Sequence, residues 1–268
     1  MFQTKRQVSS TFIVSIYLAL SCSSAWADLL APNPRVTIII DDIGNNLALG
    51  KLAVQLPGEV TCAIMPYTPN GARLAKLAFE NGKQVILHVP MQSHDTKRKL
   101  GAGALLISME ERRYRRTLVN ALKSVPHVSG LNNHMGSLLT EHRQPMTWLM
   151  HELKKRGLYF IDSLTSPDSV ARQTALSLGV PSLTRDVFLD NNQSIEAIDK
   201  AFQKLLRVVR LKGYAIAIGH PYPTTLRYLK EAIPKLEQQG ISLISASTMI
   251  AGPDPANWKK YASNYEMD

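Results

Sequence analysis

Val36-Thr-Ile-Ile-Ile-Asp41-Asp42 is the stretch that decides how this chain is read. Its apolar residues do not alternate with polar ones, which is how a strand buried on both faces of a sheet reads. Two adjacent carboxylates then end it. Like charges side by side after a buried strand repel, and both stay ionised only beside a cation or strong donors. Short apolar runs at 61–64, 85–88, 128–131, 159–161, 182–184, 215–218 and 242–245 have the same character. Between them lie stretches predicted as helices at 70–81, 108–123, 145–156, 194–211 and 224–239. The second opens on Ser108-Met-Glu-Glu111, the pattern of a capping box. The last three close at Gly157, Gly213 and Gly240, the usual order of stop signals. Strands alternating with helices imply an α/β fold with a parallel sheet, either a closed (β/α) barrel or a doubly wound sheet.

The N-terminus is predicted to be a secretory signal peptide over residues 1–27. Lys5 and Arg6 form a basic start, 11–20 an apolar segment, and Ala25-Trp-Ala27 the small-x-small pattern that precedes cleavage. An uncleaved anchor is the alternative. Cleavage is favoured and leaves no stable membrane span, because no later apolar run reaches the roughly 18 residues a span needs. Residues 28–34 read as a linker, 35–250 as one β/α domain, and 251–268 as a tail. The expected destination is outside the cytoplasm, in the periplasm.

The 268 residues carry a formal net charge of +10, which suits anionic surroundings such as cell-wall polymer. The densest basic run is Arg112, Arg113, Arg115 and Arg116; after Glu110-Glu111 it reads as a solvated helix face. Nucleic acid is not an expected partner, since no binding motif accompanies the charge. With Cys22 in the signal, Cys62 stands alone in an apolar run and reads as a small buried hydrophobe rather than half of a disulfide.

In parallel β/α folds the loops after the strands converge on one face, and function collects there. The polar residues that end the runs or come directly after them are Asp41-Asp42, His88-Val-Pro-Met91, Asn132-Asn133-His134, Asp162-Ser163, Arg185-Asp186 and His220-Pro221. An Asp that closes a strand often caps a helix or makes a turn, and that reading stands beside a functional one for Asp162 and Asp186. His94, His127, His142 and His151 fall on loops or helix surfaces and read as structural. Two imidazoles and a carboxylate suit a divalent transition metal, with zinc expected. On that reading Asp42, His88 and His134 are ligands, Asp41 is a base and His220 an acid.

These residues resemble a known family. Ile38-Ile-Ile-Asp41-Asp42 is similar to the first motif of polysaccharide deacetylases, in which the first Asp is general base and the second a metal ligand. Asn133-His134 resembles the start of the family's metal-binding His motif, and Ala217-Ile-Gly-His220 its late motif, whose His is general acid. The chain is more closely similar to the divergent subgroup, through Ile39-Ile-Asp-Asp-Ile-Gly44, Leu87-His-Val-Pro-Met91, Leu131-Asn-Asn-His-Met-Gly-Ser137, Phe160-Ile-Asp-Ser163 and Ile218-Gly-His-Pro-Tyr222. The resemblance covers about 35–250 and implies an incomplete (β/α) barrel of about seven strands. Pro90, Asp162, Asp186 and Tyr222 are assigned to substrate contact. The family's second His, four residues after the first, is Leu138 here, its Arg-x-Pro-Tyr motif is not evident, and His88 is the natural substitute ligand.

The leading expectation is an exported metal-dependent hydrolase that deacylates N-acyl sugars of an envelope polysaccharide or peptidoglycan-type glycan. Loss of the second motif His keeps open a non-catalytic carbohydrate-binding or envelope-regulatory protein. A magnesium-dependent sugar-processing or phosphatase-like barrel is a more remote reading.

Overall fold

The apolar runs become parallel strands because, once both faces are covered, their backbone groups find partners only in neighbouring strands. The structure, a computed structural model, describes residues 33–252. The predicted signal peptide, most of the linker and the tail from 253 onward lie outside the described residues. The strands are β1 (Arg35–Ile43), β2 (Thr61–Ile64), β3 (Gln84–Met91), β4 (Val128–Met135), β5 (Tyr159–Asp162), β6 (Ser182–Thr184), β7 (Val187–Phe188), β8 (Tyr214–Gly219) and β9 (Ser242–Leu243). They pair in parallel in the order β6-β5-β4-β3-β2-β1-β8-β7, with β9 beside β1. The sheet curls into a half-barrel, which is neither the closed barrel nor the doubly wound sheet that the strand pattern allowed but the incomplete (β/α) barrel that the family resemblance implies. The decisive stretch forms β1, which pairs with β2 on one side and β8 on the other.

The helices are α1 (Leu47–Val54), α2 (Gly71–Glu80), α3 (Glu111–Ser124), α4 (Arg143–Lys155), α5 (Ala171–Ser177), α6 (Ile195–Lys212), α7 (Pro223–Ala232), α8 (Pro234–Gln238) and α9 (Ala246–Ala251). α1, α5 and α9 are too short to announce themselves by periodicity. The helix expected at 224–239 is divided, because Pro234 has no N–H to continue it. The expected capping box does not form: α3 starts at Glu111, and its N-cap Glu110 makes no side-chain capping bond. Gly213 does end α6 in the left-handed region, at φ 76°. On α3, Arg112, Arg113 and Arg116 are exposed, while Arg115 pairs with Glu111 and Glu152. Cys62 is buried and free, its thiol pushed up to about 12 by burial.

Two apolar layers arise from strand alternation. The outward-facing residues of the strands, among them Ile38, Ile40, Leu87 and Leu131, pack against the helices. The inward-facing ones, Ile39, Ala63, Ile86, Tyr159, Ile161, Ile216 and Ile218, fill the barrel with Ala246 of α9. α9 sits at the N-terminal end of the barrel, where Ser247 N bonds Gln84 at the start of β3. The interior is thus packed below, and a side chain two residues beyond each inward isoleucine lies above that packing, toward the C-terminal rim.

Candidate metal centre

Three of the inward rows end in polar groups. Ile39 is followed by Asp41, Ile86 by His88, and Ile218 by His220, each two residues on and so on the same face. β4 adds Asn132, in register with His88, and His134, in register with Pro90. Asp42 should face away from Asp41, but it does not keep to the pleat. The register between β1 and β2 shifts between Ile40 and Ile43, and Asp42 takes a left-handed φ of 56°. This bulge turns the second carboxylate toward the same rim as the first.

The groups brought together are Asp42, His88 and His134. Asp42 Oδ1 lies 2.9 Å from His134 Nδ1 and 3.2 Å from His88 Nε2, and the two ring nitrogens are 3.2 Å apart. Asn132 sets the tautomer of His88. Its amide nitrogen donates to Asp41 Oδ1 at 2.8 Å, so its oxygen faces His88 Nδ1, 2.7 Å away. Nδ1 therefore carries a proton, which leaves Nε2 as the atom that faces Asp42 and His134. Asp42 Oδ1 is itself buried without a hydrogen-bond partner. An orphaned carboxylate oxygen between two imidazole nitrogens fits a divalent cation of zinc type. Burial opposes the charge of Asp42, but the two imidazoles more than offset it and hold its carboxyl well below the usual carboxylate range.

Asp41 and His220 flank this group. Asp41 is 2% exposed, and burial raises its carboxyl above the ordinary value despite the nearby His88 and His220 and the Asn132 bond. His220 Nε2 lies 4.0 Å from Asp42 Oδ2. Its other nitrogen meets Asp190 Oδ1 at 2.8 Å, while Asp190 Oδ2 accepts from His220 N and from Thr225 Oγ1. Burial works against the imidazolium, but the Asp190 bond and charge, with Asp41 and Asp42 beyond, lift His220 to about 9. At neutral pH His220 is therefore a protonated imidazole, with Nδ1 toward Asp190 and its Nε2–H on the side of Asp42.

The residues assigned to substrate contact fall differently. Tyr222 is half-buried with its ring 5.6 Å from that of His220, at the edge of the centre. Pro90 is buried on the inner row of β3, two residues beyond His88. Asp162 is corrected to a turn residue: Leu164 N and Ser169 Oγ occupy its two oxygens. Asp186 is corrected further. It pairs with Lys212 and Ile216 N, level with a residue four before His220, about 13 Å down the strand. Leu138, where the family has its second His, donates its N–H to Gln92 O, and His88 of the neighbouring strand reaches the cluster instead.

Sequence reading missed the parts played by Asp190 and Asn132. Asp190 comes after the two-residue β7, too short to register as a run, although Val187-Phe-Leu-Asp190 repeats the apolar-to-acid pattern of β1. Asn132 was visible only as a neighbour of His134.

A half-barrel with two imidazoles and a carboxylate on its C-terminal rim has a deacetylase-like fold and a group able to hold a metal ion. Residues 38–250 match the divergent polysaccharide deacetylase family, and the chain belongs to that family. Among its relatives, YibQ of Escherichia coli (strain K12) is 32% identical over 234 residues, covering 85% of this chain and 73% of that protein. A protein of Haemophilus influenzae is 34% identical over 204 residues, 76% of this chain and 72% of its own. The crystal structure of ATU2773 from Agrobacterium tumefaciens C58 shares the fold at a TM-score of 0.79 and 22% identity, covering 82% of this chain and 90% of that one. Among the described residues no helix is long and apolar enough to cross a membrane.

Proposed function

We propose that this protein is an exported, periplasmic metal-dependent hydrolase that removes the N-acyl group from an amino sugar of an envelope polysaccharide or peptidoglycan-type glycan. The observation that carries this reading is the convergence of Asp42, His88 and His134 between a buried carboxylate, Asp41, and a protonated imidazole, His220. A divalent cation at these three side chains, with zinc expected, lowers the pKa of water and polarises an acyl carbonyl. Asp41 is placed to accept the proton of the attacking water. Its raised pKa makes it a stronger base than an ordinary carboxylate. His220 holds a proton on Nε2 for the departing amine nitrogen, and Asp190 keeps that imidazole in the right tautomer and orientation. Asn132 orients both halves, since one amide holds the base and the first ligand.

The test is release of acetate from N-acetylated amino-sugar polymers by the purified protein, with and without zinc, beside His134→Ala. Metal-dependent release that disappears in the variant is expected. Absence of release with any divalent metal, from a folded sample, removes the catalytic claim. Leu138 favours a second reading, a glycan-binding protein without turnover. Stoichiometric metal bound through His134 argues for the first reading, and metal-free protein that holds glycan strands argues for the second.

A further inference from the structure

Next to the ligand group on the rim, two inward rows end in side chains that the proposed chemistry does not use. On β5, Ile161 belongs to the inner core, and Ser163 is the next residue on that face. Ser163 is 1% exposed, and its Oγ is buried with no hydrogen-bond partner among the described residues. After β6, Leu183 packs on the inner core and Arg185 comes two residues later in the same way. The Arg185 guanidinium donates to Ser163 O at 2.7 Å and Leu164 O at 2.9 Å. Its carbon lies 3.8 Å from the centroid of Phe188, whose ring in turn stacks at 6.3 Å on that of His220.

A partly buried cation calls for a counter-charge. The three acids near Arg185 are Asp162, Asp186 and Asp41. Their charges act on it, but among the described residues none lies in ion-pair contact with it: Asp162 accepts from Leu164 and Ser169, Asp186 from Lys212, and Asp41 from Asn132. The guanidinium keeps further N–H donors beyond the two that bond carbonyls. Its planar fork matches a carboxylate better than it matches a hydroxyl. Lys97, Arg98 and Lys99, all on the segment that leaves β3, add exposed positive charge, which draws anions toward a cleft.

We propose that Arg185 and Ser163 form a carboxylate-binding subsite beside the ligand group, so that the sugar this protein takes is an acidic one, bearing a carboxylate near its N-acyl group. That this sugar is a substrate rests on the hydrolase reading; that it binds rests on the rim geometry alone.

The probes are N-acetylmuramic acid and N-acetylglucosamine, which share the N-acetyl group and differ in a carboxylate. Titration calorimetry at low ionic strength should show the acidic sugar binding about tenfold tighter or better. Arg185→Gln should abolish the difference, and Arg185→Lys should retain part of it. Ser163→Ala, a milder change if Arg185→Gln fails to fold, should weaken only the acidic sugar. Equal affinities in the parent protein, or no binding of either sugar, overturn the subsite. Acetate release is measured in parallel. Carboxylate-selective binding without release counts against the hydrolase and leaves the subsite standing; release without carboxylate preference does the reverse.

Discussion

Asp190→Asn isolates the pairing that makes His220 an acid. In the parent protein the imidazole titrates at about 9, against an ordinary 6.5. That separation corresponds to about 3 kcal/mol of preference for the protonated form. Because the folded value is the raised one, this stability is fully present below the unfolded pKa and is lost as pH rises through about 9. An asparagine can keep the bonds from His220 N and Thr225 by placing its oxygen where Oδ2 now lies. Its amide nitrogen then faces Nδ1 and donates to it. That geometry tolerates only a neutral ring with an unprotonated Nδ1, while burial continues to press downward. Asp41 and Asp42 remain, so the fall should be partial, at least one unit or about 1.4 kcal/mol. The assay is an NMR titration of the His220 ring protons in metal-free parent and variant, with urea unfolding at several pH values. The expected result is a lower midpoint and a stability advantage over the variant that fades between neutral pH and about 9. An unmoved midpoint would refute the reasoning, because Asp190 would then not be what holds the proton.

Two further outcomes come from the same geometry. Asn132→Ala frees the His88 tautomer and leaves Asp41 without its amide donor; zinc affinity should drop about 10–100-fold by competition with a chelating dye, while an unchanged affinity would mean that Asn132 orients nothing. Gly130→Ala places a Cβ 2.3 Å from the Tyr159 ring, and overpacking there should cost about 1–3 kcal/mol in denaturant unfolding; a smaller loss would show that the barrel interior yields at this point.

Much of the strand framework was legible in the sequence. Runs 61–64 and 182–184 match β2 and β6 at both ends, and the others locate their strands with ends extended or trimmed by a few residues. Strand-end reading also pointed to Asp41, His88 and His220, because a side chain two places beyond a buried inward residue reaches the rim; it named Asp42 and His134 as well, but for Asp42 only the bulge supplies the direction. The same reading misplaced Asp186. It sits after β6 in the chain but directly precedes β7, where Lys212 and Ile216 N take its carboxylate. It also had no means of weighing Asp162, whose partners lie within a few residues and satisfy it locally.

Local pattern, then, determined which residues are buried, which runs are strands and where polar chemistry is affordable, since burial and period-2 alternation act on neighbours in the chain. The tertiary structure decided the rest. The choice of an open barrel over a flat doubly wound sheet depends on the strand order. The bulge that turns Asp42 beside Asp41 depends on the register against β2. The pairing of Asp190 with His220, and the position of Arg185 on the rim, join groups brought together only by curling the sheet. Interactions that depend on distance in space rather than along the chain cannot be read until the chain is closed on itself.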